Sequence, residues 1–236
     1  MITSDRVFSR NIGVWDRVKQ QTLADSSILV AGAGGLGCFV AQTLVRSGIG
    51  RLYLMDDGIV DVPDLNRQIL YIKDDLGLPK VTIAAERLSA IHGLTEIIPL
   101  QQRLVENRLL EINCPLAEIK GFVDCLDNYP SRYLLERMLP EKAFLVHGGV
   151  QEHYGQVTTI RKDLTPSLKS LYANTEDSDS PMAVCSQAVS CVASIMSFEV
   201  LNNIWGKPQL LNSLLIIELS DFTFSKIKLG QANECI

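Results

Sequence analysis

Short apolar runs alternate with amphipathic stretches through the first 147 residues. The amphipathic stretches have helical spacing, and this alternation is typical of a mostly parallel sheet covered by helices. A helix near Val14–Ala24 is predicted to precede the first run. The apolar runs predict strands near Ser27–Ala31, Leu52–Met55, Glu96–Leu100, Phe122–Asp124 and Phe144–Val146.

The pattern changes after residue 149. A long helix is predicted near Ala183–Trp205, and the polar segment Lys162–Pro181 is expected to be either a functional crossover or disordered. The remaining apolar runs look like antiparallel additions, near Gln156–Arg161, Leu214–Leu219 and Phe222–Leu229. The predicted fold is therefore α/β, with helices on both faces of a mostly parallel sheet and antiparallel strands at its C-terminal end.

A glycine-rich turn follows the first predicted strand. Gly32, Gly34, Gly35 and Gly37 lead from that strand into a helical pattern. Such a turn lets backbone N–H groups approach a phosphate at the helix N-terminus. Asp56 ends the next strand about 20 residues later, where a carboxylate can accept hydrogen bonds from ribose hydroxyls. The combination predicts a nucleotide site in a Rossmann-like fold.

Two cations and an acid extend this motif. Arg67 and Lys80 follow the ribose-binding strand, where they would face a bound polyphosphate, and two cations suggest a triphosphate. Lys80 also opens the helical pattern Val81–Ile91. Asp127 follows the fourth strand at the same sheet edge as the glycine turn, and a hard carboxylate there suits Mg²⁺.

At these residues the sequence resembles the HesA/MoeB/ThiF family, the bacterial relatives of ubiquitin-activating enzymes, from about Phe8 to Leu229. The resemblance implies an ATP-dependent adenylyltransferase. Its expected substrate is the C-terminal Gly-Gly carboxylate of a ubiquitin-like β-grasp sulfur carrier, as in molybdopterin or thiamine biosynthesis. The expected products are an acyl-adenylate and pyrophosphate, and the expected assembly is a homodimer.

The resemblance also implies residue roles. Phe8-Ser9-Arg10-Asn11 resembles a family segment whose arginine reaches into the neighbouring subunit's ATP site, which makes Arg10 a candidate arginine in trans. Asp127 would hold Mg²⁺. The expected catalytic residues are Arg10, Arg67, Lys80 and Asp127. The expected nucleotide-binding residues are Gly32, Gly34, Gly35, Gly37, Asp56, Asn66, Arg67, Lys80 and Asn128.

The chain departs from the family at two kinds of position. Family members of the sulfur-carrier type usually hold zinc with two Cys-x-x-Cys pairs, and no two cysteines have that spacing here, so zinc is not expected. The family's catalytic cysteine aligns with Asp179 or its neighbours, while Cys185 aligns with an apolar position. Asp64 stands where the family usually has asparagine, which puts an acid near the phosphates.

Composition favours one cytoplasmic enzyme domain. The 236 residues are 47% hydrophobic and 6% aromatic, which suits an aliphatic α/β core. The nucleotide-binding half is expected at about 1–147, and the carrier-binding and crossover half at about 148–236. No apolar run approaches a membrane span, and the first ten residues lack the core of a signal peptide. The net charge of −5 argues against a nucleic-acid partner.

Other functions share parts of these motifs. An NAD-dependent oxidoreductase would use the glycine turn and Asp56 but would leave Arg67, Lys80 and Asp127 without a purpose. A non-catalytic scaffold that binds nucleotide or carrier fits the missing cysteine pairs. Within the enzyme class, family relatives adenylate a peptide or dehydrate a modified tRNA adenosine, and the sequence leaves both activities open.

Histidines and cysteines are assigned structural roles. His147 is expected to be a hydrogen-bonded residue at a strand end rather than a substrate contact. His92 and His153 are expected on the surface. Cys185 and Cys191 are expected to be buried rather than catalytic.

Overall fold

One eight-stranded sheet organises the part of the chain that the computed structural model describes, residues 2–105, 114–173, 175 and 182–230. The strand order is β3-β2-β1-β4-β5-β6-β7-β8. The first five strands are parallel, and β6 to β8 continue the sheet as an antiparallel meander. The strands are β1 (Ser27–Ala31), β2 (Arg51–Met55), β3 (Glu96–Leu100), β4 (Gly121–Asp124), β5 (Phe144–Gln151), β6 (Tyr154–Ile160), β7 (Ser213–Glu218) and β8 (Thr223–Lys228). The predicted fold class is confirmed.

Helices cover both faces of this sheet. On one face, α4, α5 and α8 pack on strand residues such as Val30 and Leu54. On the other face, α6 and α7 pack on the alternate residues, such as Leu29 and Phe122. The helices in the described residues are α1 (Ser4–Val7), α2 (Ser9–Trp15), α3 (Arg17–Ala24), α4 (Gly35–Ser47), α5 (Lys80–Ser89), α6 (Tyr129–Arg137), α7 (Leu168–Leu171) and α8 (Ser186–Ile204).

The predicted helix near Val14–Ala24 is confirmed from Arg17 to Ala24, where α3 lies, but it does not begin at Val14. The end of α2 and the whole of α3 occupy this region, and the break between the two helices lies at Asp16. Asp16 has a φ of 58°, outside the helical region, and its carboxylate accepts a hydrogen bond from the Lys19 N–H. A capping aspartate inside an apolar-periodic stretch therefore starts a new helix, because it satisfies the first free N–H groups.

The strand order creates a crevice beside β1. The chain runs from β1 to β2 and β3 on one side, then returns to form β4 on the other side. Ala31, the last residue of β1, is paired with Met55 of β2 and Asp124 of β4. Loops that leave β1 and β4 diverge to opposite faces at such a switch point, and ligands bind in the crevice between them.

The polar segment after β6 contains more structure than its sequence predicts. Helix α7 lies within it, and the Glu136 carboxylate of α6 accepts a hydrogen bond from the Leu168 N–H at 3.0 Å. The acidic part of this segment, 176–180, falls outside the described residues. Among the helices of the described ranges, none combines the length and apolarity that a membrane span requires.

Candidate active site

A cavity of about 540 Å³ opens at the carboxyl ends of β1, β2 and β4. Its walls are the glycine turn, the loop after β2, the first residue of α5, and the loop after β4. The segments around Val150 and Val184 close a further side. Eight of the predicted site residues line it: Gly32, Gly34, Gly35, Asp56, Arg67, Lys80, Asp127 and Asn128.

The glycine turn is shaped by two close backbone approaches. Gly32 has a φ of +97°, and a Cβ there would lie 2.5 Å from the carbonyl oxygen of Cys125. Gly37 does not line the cavity; a Cβ there would lie 1.8 Å from the carbonyl oxygen of Gly32. Neither position can hold a side chain, so the turn packs directly on α4 and leaves the helix N-terminus open to the cavity.

Asp56 stabilises the turn in addition to facing the cavity. Its two carboxylate oxygens accept hydrogen bonds from the N–H groups of Ala33 and Gly58, each at 2.7 Å. The hydroxyl of Tyr71 donates to the carbonyl oxygen of Ala33 at 2.8 Å. Burial raises the pKa of Tyr71, which keeps this hydroxyl protonated as a donor. The sequence indicated a ribose contact for Asp56 but did not reveal this structural role.

The two predicted cations meet at one carboxylate. Lys80 Nζ lies 3.0 Å from Oδ2 of Asp64, and the Arg67 guanidinium lies 4.0 Å from Oδ1. The Asp64 side chain is 11% exposed and that of Lys80 is 14% exposed, so solvent screens this ion pair weakly. Asp64 was noted in the sequence only as an acid near the phosphates. The structure shows that it binds the cations.

Gln68 is a buried cavity residue that sequence reasoning left without a role. Its Nε2 donates to Oδ1 of Asp64, and its Oε1 has no hydrogen-bond partner among the described residues. A buried acceptor without a donor costs free energy. The Asp64 carboxylate, which can only accept, therefore dictates the orientation of the Gln68 amide.

Asp127 lies at the exposed rim of the cavity. Its Oδ1 accepts a hydrogen bond from Asn128 Nδ2 at 3.1 Å, and Oδ1 of Asn128 caps α6 by accepting from the Ser131 N–H at 2.9 Å. The helix start thus determines where Asn128 lies, and Asn128 in turn orients Asp127.

A buried polar network lies directly behind this loop. His147 Nδ1 lies 2.6 Å from Oδ2 of Asp124, and Nε2 lies 2.9 Å from the Tyr172 hydroxyl. Arg132 donates two hydrogen bonds to the carbonyl oxygen of Leu126, and Asp124 accepts one from the Leu126 N–H. The expectation of a hydrogen-bonded His147 is confirmed. Sequence patterns did not indicate Asp124 or Tyr172 as partners of His147, because 23 and 25 positions separate them from it. Arg132 contacts a carbonyl only six positions away, but it belongs to no sequence motif.

Besides Gly37, two predicted site residues lie outside the cavity. Arg10 is an exposed residue of α2, and it does not line the cavity of its own chain. Asn66 is also exposed, and its Oδ1 accepts a hydrogen bond from Arg67. In the described structure, Asn66 therefore contacts the arginine rather than the cavity.

The other histidines and the cysteines differ in their environments. His153 is exposed, as expected. His92 is half-buried, contrary to expectation, because its ring packs edge-on against Phe8 and its Nε2 lies 3.0 Å from the carbonyl oxygen of Val45. Cys185 and Cys191 are both half-buried rather than fully buried.

Sequence comparisons agree with the motifs in this cavity. A model of the ThiF family matches residues 8–235. The chain belongs to the ThiF family. A sulfur carrier protein adenylyltransferase from Thermus thermophilus is 33% identical over 233 residues, which cover 92% of this chain and 83% of the relative. A SAMP-activating enzyme E1 from Haloferax volcanii is 29% identical, covering 97% and 86%.

Some relatives are longer than this chain. A probable molybdopterin-synthase adenylyltransferase from Porphyra purpurea is 29% identical over 89% of the chain, which spans only 56% of that relative. The relatives are named as adenylyltransferases or activating enzymes, and the expectation that this chain is an enzyme of the adenylyltransferase class is confirmed.

Solved structures show the same fold. The structure of PaaA superposes with a TM-score of 0.80 at 22% identity, covering 96% of this chain and 83% of PaaA. The structure of E. coli MccB superposes with a TM-score of 0.84 at 17% identity, covering 99% and 72%. At these identities the similarity supports the architecture alone.

Proposed function

We propose that this ThiF-family chain uses ATP to adenylate the C-terminal Gly-Gly carboxylate of a small ubiquitin-like sulfur carrier, giving an acyl-adenylate and pyrophosphate. The observation that carries the proposal is the presence of Arg67, Lys80 and Asp127 on the walls of one cavity with the glycine turn. A hydride-transfer site has no need of the two cations. The names of relatives that cover most of the chain favour a sulfur carrier as the substrate.

The chemistry requires charge neutralisation and alignment rather than proton transfer. The attacking C-terminal carboxylate has an unperturbed pKa of about 3.5 and is already ionised, so no general base is needed. Both reactants are anions, and Arg67 and Lys80 would reduce their repulsion at the phosphates. Backbone N–H groups of the glycine turn at the start of α4 would hold the phosphates in place. Alignment of the carboxylate with the α-phosphorus would supply the rest of the rate enhancement.

Asp127 is the residue proposed to hold Mg²⁺. A magnesium ion that binds with a nucleotide usually takes one or two protein carboxylates and fills its other positions with phosphate oxygens and water. An exposed carboxylate at the cavity rim, oriented by Asn128, fits this donor set. When bound, the ion would neutralise phosphate charge.

A homodimer is proposed on the basis of an exposed apolar segment. Seven large hydrophobic side chains between residues 59 and 78 are at least 36% exposed, and this segment surrounds Arg67. Apolar side chains concentrated in this way mark interaction surfaces. The resemblance of the Arg10 segment to the family's trans-acting arginine is the reason to propose that a second copy seated beside this apolar segment supplies Arg10 to the cavity. The seven side chains are Ile59, Val62, Leu65, Ile69, Ile72, Leu76 and Leu78.

The proposed function is tested by exchange of labelled pyrophosphate into ATP. Exchange should occur only when a carrier with a free Gly-Gly terminus is added, and a carrier that lacks the last two glycines is the matched negative substrate. Asp127→Ala should abolish exchange while the protein remains folded. Glu141→Ala, which removes an exposed acid outside the cavity, is the control variant. ATP binding without carrier-dependent exchange would contradict the proposal and support a scaffold.

A further inference from the structure

Asp64 is the only carboxylate among the described residues that forms an ion pair with Lys80, and it also lies near Arg67. Its Oδ2 additionally accepts a hydrogen bond from the Asp61 N–H at 3.0 Å, within the short 3₁₀ helix Val62–Asn66 and its cap. The carboxylate is therefore fixed by its own backbone turn. It is a rigid anion placed where the phosphates of a nucleotide are proposed to lie.

We propose that Asp64 is a positioning residue that holds Lys80 ready for the nucleotide and competes with the phosphates for it, so that it weakens nucleotide binding while it accelerates the reaction. This inference rests on the proposed use of ATP. It goes beyond that function by assigning opposite effects on binding and on rate to one side chain.

The charge of the cavity supports the competition. Positive and negative side chains among the described residues of its lining are equal in number, so the formal charge of the cavity is zero. A polyphosphate entering it gains from Lys80 only to the extent that it replaces Asp64. The charged lining residues are Asp56, Asp57, Asp64 and Asp127, and Arg67, Lys80, Arg103 and Arg132.

The position of Lys80 supports the effect on rate. A lysine side chain is flexible, and an unpaired ammonium loses rotamer freedom when it binds a phosphate. The ion pair of 3.0 Å with Asp64 orders Lys80 before the nucleotide arrives. A cation that is already in place contributes more to an aligned transition state than one that must be recruited.

The hydrogen bonding of Gln68 shows that the Asp64 carboxylate lowers the stability of its surroundings. Gln68 donates to Asp64 and leaves its own Oε1 buried without a partner among the described residues. Asparagine at position 64 is nearly isosteric with aspartate, can keep a hydrogen bond to the Gln68 amide, and retains an oxygen that accepts from the Asp61 N–H. Asp64→Asn is therefore expected to fold, which makes it an informative variant.

The test measures binding of a non-hydrolysable ATP analogue with Mg²⁺ by calorimetry, and carrier-dependent pyrophosphate exchange. The proteins compared are the wild type, Asp64→Asn, Asp57→Asn, Lys80→Gln, and the double variant of Lys80→Gln with Asp64→Asn. Asp64→Asn should tighten analogue binding about tenfold, the equivalent of about one charge-assisted hydrogen bond. It should also lower kcat of exchange about tenfold, through loss of the fixed position of Lys80.

Two further variants separate this proposal from a general charge effect. Asp57→Asn removes a carboxylate from the same cavity, but Asp57 is exposed and forms none of the ion pairs found among the described residues. It should change affinity less than about threefold. In a Lys80→Gln background, Asp64→Asn should also change the affinity for the analogue less than about threefold, because there is no longer a lysine for which Asp64 and the phosphates compete.

Each outcome has one meaning. Tighter binding with slower exchange, specific to Asp64 and dependent on Lys80, supports the inference. Three results would each overturn the inference while leaving the proposed function intact. The first is an equal effect of Asp57→Asn and Asp64→Asn on affinity, and the second is unchanged or weaker binding in Asp64→Asn. The third is an undiminished effect of Asp64→Asn in the Lys80→Gln background. A wild-type protein that fails to bind the analogue would overturn the proposed function together with the inference.

Discussion

His147 and Asp124 form a fully buried pair, with 2.6 Å between Nδ1 and Oδ2, at the point where β4 and β5 lie side by side. The carboxylate accepts, so Nδ1 carries the proton. Nε2 then accepts from the Tyr172 hydroxyl in the neutral ring. Burial is the main reason that the pKa of His147 is lowered from 6.5, and Arg132 acts in the same direction against the raising effect of Asp124.

This pair predicts a loss of stability in mild acid. In the unfolded chain His147 takes up a proton as the pH falls through about 6.5, whereas the folded chain resists protonation. The unfolded state therefore binds more protons in the window below about pH 6.5, and the free energy of unfolding should fall there. Urea unfolding of the wild type at a series of pH values measures this slope.

His147→Asn is the matched variant, because its amide can donate to Asp124 and does not titrate. Its stability should depend less on pH below about 6.5 than that of the wild type. His92 and His153 are present in both proteins, so their contributions cancel. Parallel profiles for the two proteins would show that His147 has the same pKa in the folded and unfolded chains.

Gly37→Ala should destabilise the protein by about 3 kcal/mol or more, because its Cβ would overlap the backbone oxygen of Gly32 at 1.8 Å. Gly13→Ala is the control. Gly13 lies in α2, where an added methyl group would meet no described atom within 4 Å, and its replacement should raise stability by up to about 1 kcal/mol through helix propensity. Urea unfolding measures both. Similar effects of the two variants would contradict the close packing at Gly37.

Glu199→Ala should cost about 3 kcal/mol of unfolding free energy, since the buried Glu199 carboxylate accepts hydrogen bonds from several donors. Among them are the Thr159 hydroxyl at 2.9 Å and the Leu210 N–H at 2.7 Å. Glu199→Gln keeps an acceptor oxygen and should lose less. Equal losses in thermal or urea unfolding would show that the hydrogen bonds to this side chain are not what stabilises the region.

Arg10→Ala and Asp127→Ala chains should each be inactive in pyrophosphate exchange, and a mixture of the two should regain part of the activity. In a homodimer with composite sites, some heterodimers hold one site with both residues intact. Subunit exchange is verified by mass spectrometry of differently labelled chains. Exchanged subunits without regained activity would show that Arg10 does not act across the interface.

The sheet was predictable because its signals are local. Strands β1 and β2 are short apolar runs with four buried residues each, and β1 and β3 have the predicted bounds. The helix break at Asp16 was missed because the apolar spacing on either side of it favours one continuous helix. Only the capping hydrogen bond to Lys19 shows that the chain starts a new helix there.

The cavity residues were predictable where they belong to a sequence motif with a characteristic geometry. The glycine turn, Asp56, Arg67, Lys80 and Asp127 were identified from order and spacing. The Asp64 ion pair with Lys80 was not, since the two residues are 16 positions apart and a loop of unknown course separates them. Asp124 and His147 come together only through the pairing of β4 with β5, which local sequence does not specify.

The parallel pairing of β1 with β4 joins residues 28–31 to residues 121–124. A nascent chain that has left the ribosome only as far as residue 105 already contains the glycine turn, Asp56, Arg67 and Lys80. It lacks the strand against which Gly32 closes and the loop that carries Asp127. Contacts between such distant segments form late, because closing a long loop costs entropy before the contact compensates for it. We therefore expect the cavity to form late in folding, because an incomplete chain contains some of its residues but neither β4 nor the loop that follows it.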